Sequence, residues 1–456
     1  MNLRVFASSR EKWVAGETSS VPLRLVQNVS RRVAGFFAAR TQEQSSLPEA
    51  ENVASRPIRI AQIVAASSHS PWFTNICSEM AGRGFEIVAI IDTSEGDLAG
   101  RLTAAGIRHY KVPLYFGGNL DRARLPLYVL SFPFVIGRIA WILRRERIDI
   151  AHSHVFVANF ATRFACLFTH ARHVAGIAGP RHLEASVTRM TERLTCRADD
   201  LIVGGCEYIA SLYRRLDVPA DRIACVYYGS PAENFDPAAV DRQAFRRELG
   251  IALDAPVVGL VAHFYPPMRG PQAPRATHGV GLKGHDTFLA AARIVALRFP
   301  EARFVLVGSG SNDLGERYRQ SLIESCRADS FIERVFFVEH RHDLQRVLVS
   351  FDVAVQCSLT ECLGGTVEAL LMERPTVATR VGGMPEAVRH EETGLLVPPA
   401  DASALAAAIE RLFGDPSEAR RLARAGRALM LERFTLARTG SDLASLYMQV
   451  TGAGRC

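Results

Sequence analysis

The feature that most constrains the fold is a regular alternation of short apolar runs with helical stretches, which begins at Ile58. In the first half of the chain the strand-like runs cover 59–67, 85–91, 149–154, 173–179, 200–205 and 223–229. Continuous apolar strands that are joined through helices are typical of a parallel sheet covered by helices on both faces. The first half therefore predicts an α/β domain.

The same pattern restarts after a polar break over 230–256. The second set of strand-like runs covers 257–263, 303–309, 335–339, 353–358, 375–379 and 394–399. Helices are predicted at 285–298, 312–327, 342–350, 365–373, 402–414 and 416–433. The pattern predicts an α/β protein of two Rossmann-like, doubly wound domains. In such sheets ligands bind beyond the carboxyl ends of the strands, so two facing domains form a cleft.

Four segments follow from this alternation. Residues 58–240 are the predicted N-terminal domain, and residues 254–425 are the predicted C-terminal domain. Residues 426–456 are expected to form a helix that crosses back to the N-terminal domain. Residues 1–57 are a polar extension without strand–helix alternation.

Within the extension, residues 21–40 contain four Arg and no acidic residue, with apolar side chains at helical spacing. A basic amphipathic helix of this kind binds anionic membrane surfaces. A helix packed on the main body and an irregular tail are the alternatives.

Composition restricts the partners. The 456 residues carry a net charge of +7, which suits a ligand with phosphate groups. No nucleic-acid recognition motif is present, so nucleic acid is not an expected partner. None of the nine cysteines forms a C-x-x-C pair, which argues against a disulfide framework or a zinc site and favours the cytoplasm.

Two segments of the sequence are relevant to export across a membrane or insertion into it. The start of the chain, 1–10, lacks the apolar run of a signal peptide. The stretch Leu125–Leu143 is long enough to span a bilayer, but it contains Pro126, Pro133 and Arg138. A buried helix of the α/β domain and a face that dips into the membrane are the two interpretations.

The segment Ser358–Pro399 carries the most specific chemistry. A strand runs into a loop with Glu361, and Gly364 and Gly365 then open a helix that holds Thr366 and Glu368. Free N–H groups at a helix start stabilise a diphosphate, and carboxylates bind the hydroxyls of a ribose or a sugar. The alternative is an ordinary strand–loop–helix whose glutamates serve capping and solubility.

This segment resembles the donor-binding core of the family 4 glycosyltransferases, retaining enzymes of the GT-B fold. The similarity covers about 58–440 and includes the stretches GLKGHDTFLAAA (281–292), VGSGSNDL (307–314), IDIAHSHVFVANF (148–160) and VYYGSPAENFDP (226–237). The family has two glutamates with seven residues between them, the second on the ribose and the first on the donor sugar. The resemblance implies these roles for Glu368 and Glu361, although here only six residues separate them.

The resemblance also implies cations for the diphosphate. Lys283 matches the family lysine at the start of the predicted helix at 285–298. His263 stands where the family has an arginine, so the second charge is expected from Arg269 or from protonated His263.

The resemblance also implies a histidine near the donor sugar at the end of the strand 149–154. We assign that role to His154 rather than His152, with a structural core histidine as the alternative. The two rings are expected on opposite faces of the strand, which argues against a shared metal.

The predicted function is retaining transfer of a sugar from a UDP- or GDP-linked donor to a saccharide or lipid-linked acceptor, in cell-surface polysaccharide biosynthesis. No cofactor or metal is expected, because no D-x-D pair lies in a suitable loop. The expected location is the cytoplasm, including the anionic inner face of the cell membrane. A nucleotide-sugar epimerase, a phosphorylase and a non-catalytic subunit of a polysaccharide-assembly complex are the alternatives. The last gains support from the first strand–helix loop, 66–80, which lacks the usual glycines.

Overall fold

The computed structural model describes residues 56–67, 70–114, 125–267 and 279–452, without the side chains of 125–129. These residues belong to one compact unit, Arg56–Cys456. The predicted basic helix over 21–40, the predicted cation Arg269 and the loop residues Ser68 and His69 lie outside the described residues.

The first half of the unit is a seven-stranded parallel sheet with the strand order β3-β2-β1-β4-β5-β6-β7. Its strands are β1 (Arg59–Val64), β2 (Glu86–Ile91), β3 (Arg108–Lys111), β4 (Ile150–His154), β5 (Arg172–Ile177), β6 (Leu201–Gly204) and β7 (Ile223–Cys225). The central strands are buried almost throughout, because helices cover both faces of the sheet.

The second half is a six-stranded parallel sheet with the order β10-β9-β8-β11-β12-β13. Its strands are β8 (Val257–Val261), β9 (Arg303–Val307), β10 (Val335–Val338), β11 (Val353–Gln356), β12 (Thr376–Thr379) and β13 (Leu395–Val397). In both sheets the strand order reverses beside the first strand of the half. This reversal is the topological switch point at which doubly wound sheets bind ligands.

Sixteen helices are defined in the described part of the chain. In the first half they are α1 (Pro71–Gly82), α2 (Leu98–Ala104), α3 (Leu125–Arg145), α4 (Phe156–Cys166), α5 (Arg181–Glu184), α6 (Ser186–Thr195) and α7 (Glu207–Arg214). In the connection and the second half they are α8 (Ala244–Glu248), α9 (His285–Arg298), α10 (Asp313–Ala328), α11 (Leu344–Val349), α12 (Thr366–Leu371), α13 (Met384–Ala387), α14 (Ala402–Gly414), α15 (Pro416–Arg433) and α16 (Leu436–Thr451).

The prediction of two Rossmann-like domains is confirmed. All twelve strand-like runs contain a strand, and six predicted helices match α9, α10, α11, α12, α14 and α15 to within two residues at each end. The strand β3 was not predicted, because its sequence RHYK lacks an apolar run and its residues are only partly covered at the sheet edge. A short polar edge strand gives little periodic signal.

Apolar side chains from both halves share one buried cluster. It includes Ile209 and Phe245 from the first half and the connection, and Phe351, Leu370 and Phe434 from the second. The chain returns to the first half after Phe434: α16 packs on α1, and the Tyr447 hydroxyl bonds Nδ1 of His152 at 2.6 Å. The two sheets are therefore held together by a common core as well as by the chain connections.

The interpretation of Leu125–Leu143 as a buried helix is only half correct. The segment is the helix α3, and Val135, Ile139 and Ile142 pack into the core. Its opposite face is exposed: Phe134 retains 79% of its accessible surface and Leu130 retains 69%. No helix in the described part of the chain is both long and apolar enough to cross a bilayer.

The expectation that His152 and His154 point to opposite faces of β4 is wrong. Their ring centroids lie 4.2 Å apart, and both rings lie against Gly176 of the neighbouring strand β5. Side chains alternate between the faces with a period of two, so residues i and i+2 share a face. Even so, the described residues contain no group of three or more His, Cys, Asp or Glu arranged to hold a metal ion.

Candidate active site

The loop between β11 and α12, residues 357–365, forms the floor of the candidate site at the carboxyl edge of the second sheet. Gly364 has φ of +56°, a left-handed conformation that favours glycine. A side chain on Gly365 would meet Nε2 of Gln356 at 2.8 Å. The two glycines therefore let the loop pack closely against neighbouring side chains. Because they have no side chains, they also leave the loop backbone uncovered. Thr366 is turned inward, and its hydroxyl donates to the carbonyl of Leu363.

Lys283 and Glu361, which were predicted separately, meet in this loop. The Lys283 ammonium forms an ion pair with Oε2 of Glu361, and Ser358 donates to the same oxygen at 3.3 Å. Burial acts to lower the pKa of Lys283, but the charge of Glu361 and the nearby Tyr265 outweigh it and hold the pKa above 10.5. Lys283 is thus a firmly charged, largely buried cation at the position predicted for a diphosphate.

Glu368 lies one turn into α12 and faces the first half of the protein. Its Oε1 accepts a hydrogen bond from the Ser230 hydroxyl at 2.6 Å. Burial raises the pKa of Glu368 above its ordinary 4.5, although the hydrogen bond from Ser230 opposes the shift. Ser230 pairs in turn with Thr435, where the chain returns to the first half. The predicted ribose carboxylate therefore lies where the two connections between the halves meet.

The predicted cation His263 contacts the loops that follow β9 and β10. It follows β8, and its Nδ1 lies 3.4 Å from the carbonyl of Ser309. Its ring stacks on His340, with centroids 5.4 Å apart and planes 9° apart. The structure thus groups His263 with the loop after β10.

His154 has no exposed surface. Its Nε2 bonds the side-chain oxygen of Gln62 at 2.8 Å, and Trp72, Phe73 and Tyr228 surround the ring. Burial lowers the pKa of His154 to about 3, so the imidazole is neutral at physiological pH. Contact between His154 and a sugar requires movement of Trp72 or Tyr228, and its role stays a prediction.

Three polar residues that link the two halves were not predicted. Thr360, next to Glu361, donates to Oε1 of Glu184 on α5 at 2.7 Å. Glu386 on α13 accepts from the backbone N–H groups of Glu207 and Tyr208, at 2.8 Å each, and so caps the start of α7. Single glutamates and threonines far apart in the sequence give no signal that they will meet.

Comparisons with known proteins identify the family of both halves of the chain. Residues 276–415 match the family model described as glycosyl transferases group 1, and residues 71–229 match the model of a glycosyl transferase 4-like domain. A D-inositol 3-phosphate glycosyltransferase of Corynebacterium efficiens is 31% identical over 335 residues, 71% of each chain. Its counterpart in Saccharomonospora viridis is 27% identical over 410 residues, 86% of this chain and 91% of the relative.

Solved structures share the fold. Anabaena HepE in complex with UDP-glucose has a TM-score of 0.70 at 18% identity and covers 86% of this chain and 100% of its own. The sucrose-phosphate synthase of Thermosynechococcus elongatus has a TM-score of 0.70 at 19% identity, with 87% and 100% covered. At these identities the similarity establishes the two-domain architecture.

Proposed function

This chain belongs to the glycosyl transferases group 1 family, a family of GT-B glycosyltransferases, and on that premise we propose retaining transfer of a hexosyl group from a UDP- or GDP-sugar to a saccharide or lipid-linked acceptor. The observation that carries the proposal is the cluster of Lys283, Glu361 and Glu368 around one loop at the carboxyl edge of the second sheet. This cluster holds one cation for a diphosphate and two carboxylates for hydroxyl groups.

The main chemical requirement of the reaction is stabilisation of the negative charge that develops on the departing nucleoside diphosphate. Lys283 supplies a fixed positive charge, and a diphosphate that reaches it competes with Glu361 for the ammonium. Release from Lys283 leaves the carboxylate of Glu361 available to accept hydrogen bonds from the donor sugar. The departing phosphate then takes the proton of the acceptor hydroxyl on the same face of the sugar. In this proposal the reaction requires no metal ion.

We further propose a role in cell-surface polysaccharide assembly at the inner face of the cell membrane. The basic segment 21–40 and the exposed apolar face of α3 support this location. The relatives named for D-inositol 3-phosphate favour a second candidate acceptor, a small phosphorylated polyol.

The decisive experiment incubates the full chain with a panel of UDP-, GDP- and ADP-sugars, with and without EDTA, and follows release of the nucleotide. We expect hydrolysis of one donor that EDTA does not abolish. NMR of the transfer product then reports whether the anomeric configuration is retained and detects any epimerised donor. A non-catalytic subunit binds none of the donors in calorimetry, and that result would overturn the proposal.

A further inference from the structure

The exposed face of α3 combines apolar and basic side chains in separate halves. Leu130 and Phe134 lie one turn apart near the start of the helix, and Trp141 and Arg145 continue the same stripe. Arg138 lies between them, so the stripe follows the helical period of 3.6 residues. The opposite side of α3 packs into the core, and the helix is therefore fixed with this stripe outward.

The basic half is organised around Trp141, which is 42% exposed. The guanidinium groups of Arg138 and Arg145 lie 4.4 and 5.0 Å from the centroid of its ring. An indole flanked by two cations is typical of protein surfaces at the interface between lipid headgroups and acyl chains.

The charge on this face is of one sign. Over 130–147 the exposed charged residues are all arginines, at positions 138, 144, 145 and 147. The single acid of that stretch, Glu146, is largely covered and bonds Arg108 at 2.8 Å. Such a face is complementary to an anionic surface. It is not complementary to the segment 21–40 of the same chain, which carries four Arg and no acid.

The topology places the apolar half toward the carboxyl edge of the first sheet. The crossover from β3 to the parallel strand β4 runs through α3, so α3 lies antiparallel to the strands. The start of α3, with Leu130 and Phe134, therefore lies toward the carboxyl edge of the sheet, the edge that faces the cleft. The stripe from Leu130 to Arg145 is about 22 Å long at 1.5 Å per residue.

We infer that the stripe Leu130–Phe134–Arg138–Trp141–Arg145 is the surface by which the protein lies on an anionic lipid bilayer. Leu130 and Phe134 enter the acyl boundary, and the arginines contact lipid phosphates. A lipid-linked acceptor could then reach the cleft without leaving the membrane. The inference rests on the proposed membrane location and names its contact face.

Co-sedimentation of the full chain with vesicles tests the inference. Vesicles of equal phosphatidylcholine and phosphatidylglycerol are compared with phosphatidylcholine alone. We expect binding to the anionic vesicles only, and weaker binding at high salt. The variant Phe134→Ser should weaken binding about tenfold, since a Phe side chain leaves the lipid. The pair Arg138→Gln and Arg145→Gln should weaken it by a similar factor.

Matched controls keep the test specific. Leu297→Ser removes an apolar side chain that is 86% exposed on α9, and Arg420→Gln with Arg424→Gln removes two exposed cations from α15. Neither control should change vesicle binding. Binding that survives both α3 variants would place the contact elsewhere, and a change of oligomeric state in Phe134→Ser without lipid would assign the face to a second copy. Absence of binding to any vesicle would refute the membrane location as well, while donor hydrolysis would still be measurable.

Discussion

At the scale of single residues, the central finding is that Lys283 and Glu361 neutralise each other at the predicted donor site. The pairing gives Glu361 a defined place even though its spacing from Glu368 differs from the family pattern by one residue. Gly382 helps to fix the position of Glu361. It has φ of +53°, and any side chain there would collide with the carbonyl of Glu361. The loop is therefore fixed by contacts outside its own sequence.

Replacement of Lys283 tests whether its positive charge stabilises the departing diphosphate. Lys283→Ala should lower kcat/KM by about 10²- to 10³-fold, since one lost stabilising group on a developing charge has an effect of this order. Steady-state kinetics with the identified donor measures it, and Lys111→Ala on the edge strand β3 is the matched control. If Lys283 served only to neutralise Glu361, the double variant Lys283→Ala/Glu361→Ala would recover activity. We expect no recovery.

The buried carboxylate of Glu368 predicts that donor affinity depends on pH. A carboxylate that accepts two ribose hydroxyls must be ionised, and burial raises its pKa above 4.5. Donor affinity should therefore fall as pH decreases through that raised pKa. Calorimetric titration of the nucleotide-sugar donor from about pH 8 to pH 5 measures the change.

The variant Glu368→Gln should bind the nucleotide about 10- to 100-fold more weakly, as expected for loss of a charged hydrogen-bond partner. It should also lose the pH dependence. Glu324→Gln, on the exposed side of α10, should leave both unchanged. A pH profile that persists in Glu368→Gln would assign the titration to another group.

At the scale of elements, a buried ionic network joins α4, α6 and the start of β6. The Arg163 guanidinium bonds Asp199 at 2.6 Å and Glu192 at 3.0 Å, and all three side chains are almost fully buried. Burial acts to raise the pKa of Asp199, but Arg163 and His173 outweigh it and lower the pKa below 3.8.

Arg163→Leu should reduce the free energy of unfolding by about 3–5 kcal/mol, because it leaves two carboxylates buried without their partner. Urea denaturation measures this loss. Arg172→Leu, which removes the exposed pair with Asp200, should cost under about 1 kcal/mol. Since the folded-state pKa of Asp199 is lowered, its contribution is complete above pH 3.8 and is lost as pH falls through the lower value. Equal losses in the two variants would contradict the network.

At the scale of the whole molecule, polar contacts bridge the halves around the candidate site. Ser230 donates a hydrogen bond to Glu368, where the two connections between the halves lie side by side. Thr360 donates to Glu184. Glu386 accepts from the start of α7 and from the Tyr227 hydroxyl. Residues that flank the candidate donor loop thus also form contacts between the two halves.

Glu386→Ala should loosen this arrangement, because two N–H groups at the start of α7 lose their acceptor. Hydrogen exchange at the amides of Glu207 and Tyr208 should accelerate by about tenfold or more, the equivalent of one hydrogen bond. Glu392→Ala, an exposed neighbour on the same half, serves as the control. Unchanged exchange would show that Glu386 does not hold the start of α7 in place.

The sequence alone determined the two α/β domains, all but one of the described strands, six helices of the second half, and the loop and helix that carry Glu361 and Glu368. Local periodicity and turn chemistry encode these features within a few residues. Only the tertiary structure decided that Lys283 pairs with Glu361, 78 residues away, and that Ser230 meets Glu368 across 138 residues. It also decided that His154 is covered and that one face of α3 is not. Those outcomes depend on which elements pack together, and packing between distant segments leaves no periodic signal along the chain.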